Sequence, residues 1–422
     1  MTRSHSQYDV AIVGGGLSGL TLGLALHKAG LTVCVIDALA LDDQGLPAFD
    51  GRASALAYTS YRMLDTVGAA AHMGEHVQRI EDILVVDGRP YGGLKPGGPG
   101  RDQLHFDRRE ISPGDDGEPL GWMAENRHTR LALAKAAKEA GLEVRAPERV
   151  IGTEPGSPGR KALVLESGAP IEAQLIVAGD GKFSRLRAEA GIRTSGRDYG
   201  QSAVVLTVEH EHPHEGVAYE YFMPTGPFAI LPLPGNRSSL VWTERTASAQ
   251  ALCDMDDEGF QEALEARFGD FLGWVKPASP RWCYPLSLKV SETFVGERMV
   301  LLGDAARAIH PIAGQGFNLG VRDAAALAEV LVEAKRAGLD LGAEAVLARY
   351  ERWRKSDAAS LVLGTDLFTL LFSNDVPAIR MARGLGLSLV DKIPMARRFF
   401  MRTAGGDTGD LPALLRGEAL SL

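Results

Sequence analysis

A chain of 422 residues, 45% of them apolar, can bury the core of one large α/β unit or of two to three domains. Its formal net charge of −9 argues against general nucleic-acid binding. Cys34, Cys253 and Cys283 form neither an even disulfide set nor a metal-spaced pair, which points to a reducing cytoplasm and no metal site.

The N-terminus, MTRSHSQYDV, lacks an apolar core of signal-peptide length, and no run of about 18 uncharged apolar residues offers a membrane span. Tyr8–Val13 reads as a buried strand, and Gly14-Gly15-Gly16-Leu17-Ser18-Gly19 follows at once as G-x-G-x-x-G. Leu20–Lys28 continues as a helix closed by Gly30, and Thr32–Ile36 is the next strand, with Asp37 at its end. This is a complete β-α-β dinucleotide-binding unit. Gly14 serves the tight turn, Gly16 the close approach of pyrophosphate, and Gly19 the packing of helix on strand. Leu17 and Ser18, between the second and third of these glycines, are candidate cofactor contacts. Asp37 is placed to accept from a ribose 2′-hydroxyl. The unit alone does not separate FAD from NAD.

Asp50-Gly51-Arg52 precedes an expected helix over Ser54–Val67. Gln78–Asp87 and Gln103–Arg108 read as strands around a Gly/Pro-rich excursion, and Glu118–Gly141 returns to a helical pattern. Val144–Val150, Ala162–Glu166 and Ile171–Ala173 suggest a meander, followed by a strand at Leu175–Val177 and the turn Gly179-Asp180-Gly181. Ser184 is placed to cap the next helix.

From about Gly196 the texture turns to hairpins: Ser202–Glu209, Val217–Met223, Phe228–Leu233 and Ser239–Glu244. Tyr221, Phe222, Phe228 and Trp242 are candidate walls of an apolar substrate pocket, although period-two alternation sends some of them into the core. His210, His212 and His214 sit in a turn that reads as a solvated loop. Gln261–Trp274 looks helical. A long helix is expected from Phe317 to about Glu333, and an amphipathic one over Ala343–Leu363.

Arg298–Asp323, RMVLLGDAARAIHPIAGQGFNLGVRD, carries the most specific signal. A strand ends at the carboxylate of Asp304, a glycine-rich loop follows, and a helix begins whose free N–H groups and positive dipole end face that loop. The pattern GD…HPxxGQGxNLGxRD resembles the second flavin motif of the class A flavoprotein aromatic hydroxylases, in the form used by their ubiquinone-biosynthesis branch. The resemblance covers roughly residues 7–400.

It implies a Rossmann-like α/β FAD-binding domain of the p-hydroxybenzoate hydroxylase type, an inserted antiparallel β-sheet substrate domain and a C-terminal helical region. The expected division is 1–75 with 118–195 and 285–340, then 76–117 with 196–284, then 341–422. It implies FAD bound by Gly303, Asp304, Pro311, Gly314, Gln315, Gly316, Phe317 and Asn318. Arg52 matches an arginine set against FAD, and a guanidinium suits pyrophosphate. Asn126 and Arg130 match flavin-contacting polar residues. Asp180 matches the fingerprint shared by FAD and the nicotinamide cofactor, and Arg187 is expected to anchor that loop.

In this family NAD(P)H, or a partner reductant, reduces FAD; the reduced flavin takes O₂ to a C4a-hydroperoxide that hydroxylates an electron-rich phenol. The expected substrate is a polyprenyl phenol and the expected setting is with other ubiquinone-biosynthesis proteins. A non-hydroxylating FAD protein, such as an isoprenoid reductase or cyclase or an assembly partner, would keep the same motifs. The basic, apolar run between Val376 and Arg402 suits the anionic inner face of a membrane.

Overall fold

The computed structural model describes residues 6–46, 50–87, 103–114, 117–168, 170–308, 316–355 and 393–422. Strand β1 (Ser6–Val13) is apolar without alternation over its second half, the pattern of a strand covered on both faces, and it lies inside the first sheet. Beside it run β2 (Val33–Ile36) and β8 (Glu143–Arg145) on one side, β11 (Ile171–Ala178) and β19 (Met299–Leu301) on the other, all parallel. β18 (Val295–Gly296) ends the sheet, and the antiparallel pair β9 (Val150–Pro155) and β10 (Lys161–Leu165) joins the start of β11. The two strands expected at Ile171–Ala173 and Leu175–Val177 are therefore one: its first half completes the meander and its second half pairs with β19.

Helices α1 (Leu17–Lys28) and α7 (Gly316–Arg336) pack with this sheet in the largest core. α7 contributes Val321, Leu327, Val330, Leu331 and Val332, each worth about 1.5–3 kcal/mol when fully buried.

A second, small sheet corrects two helix expectations. β3 (Ala53–Ala57) and β7 (Gly121–Glu125) are antiparallel partners, with β4 (Val77–Ile80) on β7's other edge. The helices start only after these strands, as α2 (Tyr58–Thr66) and α3 (Asn126–Ala140). Both strand sequences contain good helix formers, and a pairing partner distant in sequence overrides that local preference. The single strand expected at Gln78–Asp87 is likewise two, because β5 (Asp82–Asp87) leaves β4 for the third sheet.

That sheet runs β20 (Arg307–Ala308), β17 (Trp282–Ser291), β12 (Thr194–His210), β15 (Arg237–Arg245), β14 (Gly226–Leu233), β13 (Val217–Met223), β5, β6 (Gln103–Asp107). β16 (Val275–Pro277) pairs with the end of β12. Only β13 and β5 are parallel neighbours among the described strands of this sheet. α5 (Thr246–Asp254) and α6 (Asp257–Phe268) contribute Ala249, Phe260, Leu264 and Phe268 to the core on its back face. Short α4 (Arg185–Glu189) follows β11.

His210 and His214 are buried rather than solvated. The ring of His210 bonds the carbonyl of His212 (2.8 Å) and Ser238 Oγ (3.0 Å), and that of His214 the carbonyl of Leu233 (2.8 Å). Desolvation lowers the pKa of His210. No group of three or more His, Cys, Asp or Glu among the described residues could hold a metal ion.

The chain end returns to the first domain. Residues 344–355 are helical, and α8 (Pro394–Ala404) precedes a segment pinned to α2 and α7. Thr59 Oγ1 donates to the carbonyl of Gly405 (2.9 Å), Arg322 to that of Gly406 (2.6 Å), and Leu414 and Leu415 join the main core. No helix among the described residues is long and apolar enough to cross a membrane.

Candidate functional site

The glycines of the first loop divide into two kinds. Gly14 has φ +108°, and a Cβ there would lie 2.3 Å from the carbonyl oxygen of Gly179. A Cβ on Gly19 would lie 1.9 Å from the carbonyl oxygen of Gly14. Those two glycines permit close packing. A Cβ on Gly16 would meet nothing within 4 Å, so this glycine leaves open space in front of the helix. Gly16 is the N-cap of α1, no side chain caps the helix, and its first turn holds no acid. The leading N–H groups, those of Leu17, Ser18 and Gly19, lack a carbonyl one turn back and are available to an anion.

The Ser18 side chain does not face that space. It fits between Gly303 and Gly320, where a Cβ on Gly320 would lie 2.1 Å from its Oγ. This corrects the side-chain part of its expected role. It also gives Gly320, which the sequence reading passed over, a packing purpose. Asp37 stands just past β2, and its carboxylate accepts from the N–H groups of Gly15 (2.6 Å) and Leu39 (2.8 Å).

Asp50, also passed over, is the hub of a buried polar cluster. It accepts from Arg52 Nε (2.8 Å) and Nη2 (2.9 Å), Arg130 Nη2 (2.7 Å) and Asn126 Nδ2 (3.3 Å). Burial would raise its pKa, but Arg52 and Arg130 hold the carboxyl well below the ordinary range. Ser54 Oγ donates to Asn126 Oδ1 (2.7 Å). The structure thus gathers Arg52, Asn126 and Arg130 on an acid of the chain itself. Arg52 also lies over the Tyr284 ring (5.2 Å to its centroid).

Past β19, Gly303 takes φ +59°, and Asp304 follows in a short turn. The Asp304 side chain is exposed to solvent. Desolvation raises its pKa, against the pull of Arg52, Lys182 and Arg307. The turn is held from behind by Asp323 of α7, which accepts from Gly303 N (3.2 Å), Arg307 Nη2 (2.6 Å) and Arg354 Nε (2.6 Å). Asp323 and Arg307 side chains are 0% exposed and Arg354 1%. The signal for Asp323 was present in the sequence, as an acid on the apolar side of α7, four residues from Leu319 and from Leu327.

A Cβ on Gly316, at the start of α7, would meet nothing within 4 Å among the described residues. Two neighbours proposed as ligand contacts have other occupations. Phe317 belongs to the main core. Asn318 Oδ1 accepts from Ala57 N (2.9 Å) and its Nδ2 donates to the carbonyl of Ala55 (2.7 Å), clamping α7 to β3. Pro311, Gly314 and Gln315 lie outside the described residues.

Asp180 caps α4: Oδ2 accepts from Arg185 N (2.8 Å) and Leu186 N (3.3 Å), while its buried Oδ1 has no partner among the described residues. Ser184 caps the same helix through Arg187 N (3.0 Å). Arg187 anchors the loop through carbonyls, donating to Ala305 (2.8 Å) and Lys182 (3.0 Å), rather than through a salt bridge.

The aromatic residues of the third sheet need the largest correction. Tyr221, Phe228 and Trp242 point to the back, into the core shared with Phe260, Leu264 and Phe268. Phe222 points the other way but packs with Leu104, Val85 and Phe106. The front face is instead carried across the sheet by Ala229, Val241 and Val205, which are paired in register and end at Trp282. Trp282 packs on Gly51, where a Cβ would lie 2.0 Å from the indole. The front therefore meets the loop that bears Asp50 and Arg52.

The open approach at Gly16, the uncapped start of α1, the unpartnered Asp180 oxygen and the accessible Asp304 together fit an elongated anionic dinucleotide such as FAD. A FAD binding domain model matches residues 7–365. The ubiquinone hydroxylase UbiL of Rhodospirillum rubrum is 45% identical, over 98% of this chain and 93% of its own length. The 3-demethoxyubiquinol 3-hydroxylase of Escherichia coli is 32% identical, over 94% of this chain and 98% of its own. Among solved structures, p-nitrophenol 4-monooxygenase PnpA of Pseudomonas putida shares the fold, with a TM-score of 0.77 at 19% identity, over 96% of this chain and 100% of that one. Matched nearly end to end, the chain belongs to the FAD-dependent aromatic hydroxylases, in the branch that holds the ubiquinone hydroxylases.

Proposed function

We propose that the protein hydroxylates the aromatic ring of a polyprenyl phenol in ubiquinone biosynthesis, using O₂ and electrons from NAD(P)H or a partner reductant. The observation that carries this reading is an apolar sheet face set against the loop of Arg52, which in turn lies within electrostatic reach of Asp304. FAD, when bound, supplies the redox chemistry and the activation of O₂. The chain's own residues position and shield. The α1 N-terminus takes the pyrophosphate, Asp37 the adenosine ribose and Asp304 the ribityl side. Arg52, held by Asp50, presents positive charge between them. Ala53, Ala55 and Met123 of the small sheet and Ala229, Leu231 and Val241 of the large one share an apolar cluster, which would keep water from the reaction that a bound FAD supplies.

A polyprenyl phenol incubated with enzyme, FAD, reductant and ¹⁸O₂ is expected to gain one labelled hydroxyl. Product oxygen drawn from labelled water, or no oxygen gain at all, would overturn the assignment in favour of a hydratase-like, reductase or cyclase route. Asp304→Ala, a change at an accessible side chain, should leave the fold intact and lose FAD on dialysis. Full flavin retention would move the ribityl contact elsewhere.

The approach to a membrane is assigned to α8. Met395 and Phe399 are strongly exposed there and Phe400 moderately so, beside the exposed cations Arg398 and Arg402. Met401 on the opposite side is buried, and Arg397 pairs with Glu110 (2.9 Å). One face thus packs while the other offers apolar and basic groups to an anionic surface. Phe399→Glu combined with Arg398→Glu is expected to abolish most binding to anionic liposomes. Added salt should weaken binding of the parent protein. Liposome binding insensitive to both would leave α8 as packing only.

A further inference from the structure

One ionisable group on the front of the third sheet has no use in the cofactor site. Glu220 lies in the middle of β13, on the strand face opposite Tyr219 and Tyr221. In register across the sheet it stands beside Ala229 of β14 and Val85 of β5, and along its own strand between Ala218 and Phe222. It is 8% exposed. The small sheet and α8 close over the same side with Ala53, Ala55, Met123 and Met401, none of them charged. Among the described residues no side chain or backbone N–H bonds to its carboxyl, and desolvation alone pushes it up to about 8.

A polar atom elsewhere on this face also lacks a partner. Thr243 lies two residues along β15 from Val241, so its side chain projects on the same face, and its buried Oγ1 has no partner among the described residues. Buried polar groups without partners are uncommon, and each costs about 1–3 kcal/mol unless something satisfies it. Around Glu220 the neighbours are Ala218, Phe222, Ala229 and Val85, and an apolar setting of that kind gains nothing structurally from an acid. Ala218 and Ala229, the neighbours of Glu220 along and across the strands, carry the smallest side chains of this face.

We propose that Glu220 hydrogen-bonds the ring hydroxyl of the phenolic substrate and so decides which ring carbon is presented to the flavin. This rests on the hydroxylase reading above and adds to it the group that recognises the ring. A neutral carboxyl offers one donor and one acceptor, and a phenol hydroxyl offers the same pair, so both groups are satisfied in a site without water. The prenyl chain then lies along the apolar row of Ala229, Val241 and Val205.

The experiment compares FAD-loaded parent, Glu220→Gln and Glu220→Leu. Each is titrated with a short-chain prenylated phenol and with its ring methyl ether, following the flavin absorbance. The position of the new hydroxyl and the H₂O₂ formed are then measured in turnover. The parent should bind the phenol about tenfold tighter than the ether, the worth of one well-made buried hydrogen bond. Glu220→Leu should lose that preference, raise KM more than it lowers kcat, and spread hydroxylation over other ring positions or into H₂O₂. Glu220→Gln keeps a donor and an acceptor and should retain most of the preference. A Glu220→Leu enzyme with undiminished preference and unchanged ring position would overturn the role of Glu220 while leaving the hydroxylase reading intact. A folded, FAD-loaded parent that bound neither compound would overturn both.

Discussion

Asp323→Ala is expected to destabilise the folded protein by about 3–5 kcal/mol, the cost of leaving buried charge uncompensated. Asp323 is the shared partner of Arg307 and Arg354, and all three side chains are almost fully buried. Arg307 already has two buried nitrogens, Nε and Nη1, without partners among the described residues, which offer it no second acceptor. The same carboxylate holds the N–H of Gly303, one residue before Asp304. Loss of stability and loss of FAD should therefore come together, unlike in Asp304→Ala, where only FAD retention should suffer. Urea unfolding of the two variants beside the parent checks this. An Asp323→Ala protein within about 1 kcal/mol of the parent would show that the two arginines find other partners.

Glu220 should make the stability of the protein depend on pH in a direction opposite to that of a salt-bridged acid. Burial raises its pKa in the folded chain to about 8, from an ordinary value of 4.5. Below pH 4.5 both folded and unfolded chains hold the proton, and there is no penalty. Between the two values the unfolded chain has released it while the folded chain has not, so each pH unit costs about 1.4 kcal/mol. Above about 8 the penalty is complete, on the order of 4–5 kcal/mol. Glu220→Gln removes this titration. The unfolding free energy of the parent minus that of the variant should be flat in acid, fall steadily between about pH 5 and pH 8, and level off beyond. Parallel curves for the two proteins across that range would mean that Glu220 ionises normally and is reached by water.

What was legible in the sequence was local. Gly14, Gly16 and Gly19 fall within six consecutive residues, between a strand and a helix, so their spacing alone states a turn, an approach and a packing contact. The Gly303-Asp304 turn and the start of α7 were legible for the same reason, and so was Ser184 as a cap. Each of these roles is decided by backbone geometry within about one turn of chain, which composition and spacing encode directly.

The errors fall where the partner is far away. Ala53–Ala57 and Gly121–Glu125 read as helix because nothing local shows that each has the other to pair with. Ser18, Phe317 and Asn318 sit inside ligand motifs, yet their side chains serve helix packing, because a tight site needs rigid walls as well as contacts. Asp50 looks like the partner of its neighbour Arg52 alone until tertiary structure brings Arg130 to it, and which cations meet Asp323 on the apolar side of α7 is likewise settled only there. The facing of the aromatic residues could not be read because alternation tells which residues share a face and not which face meets the cofactor. The sequence by itself determined the dinucleotide unit, the flavin motif and the chemistry they serve. Only the tertiary structure decided that Tyr221, Phe228 and Trp242 build a core while Glu220 lies on the opposite face of the sheet, because that choice depends on which layer each side of the sheet packs against.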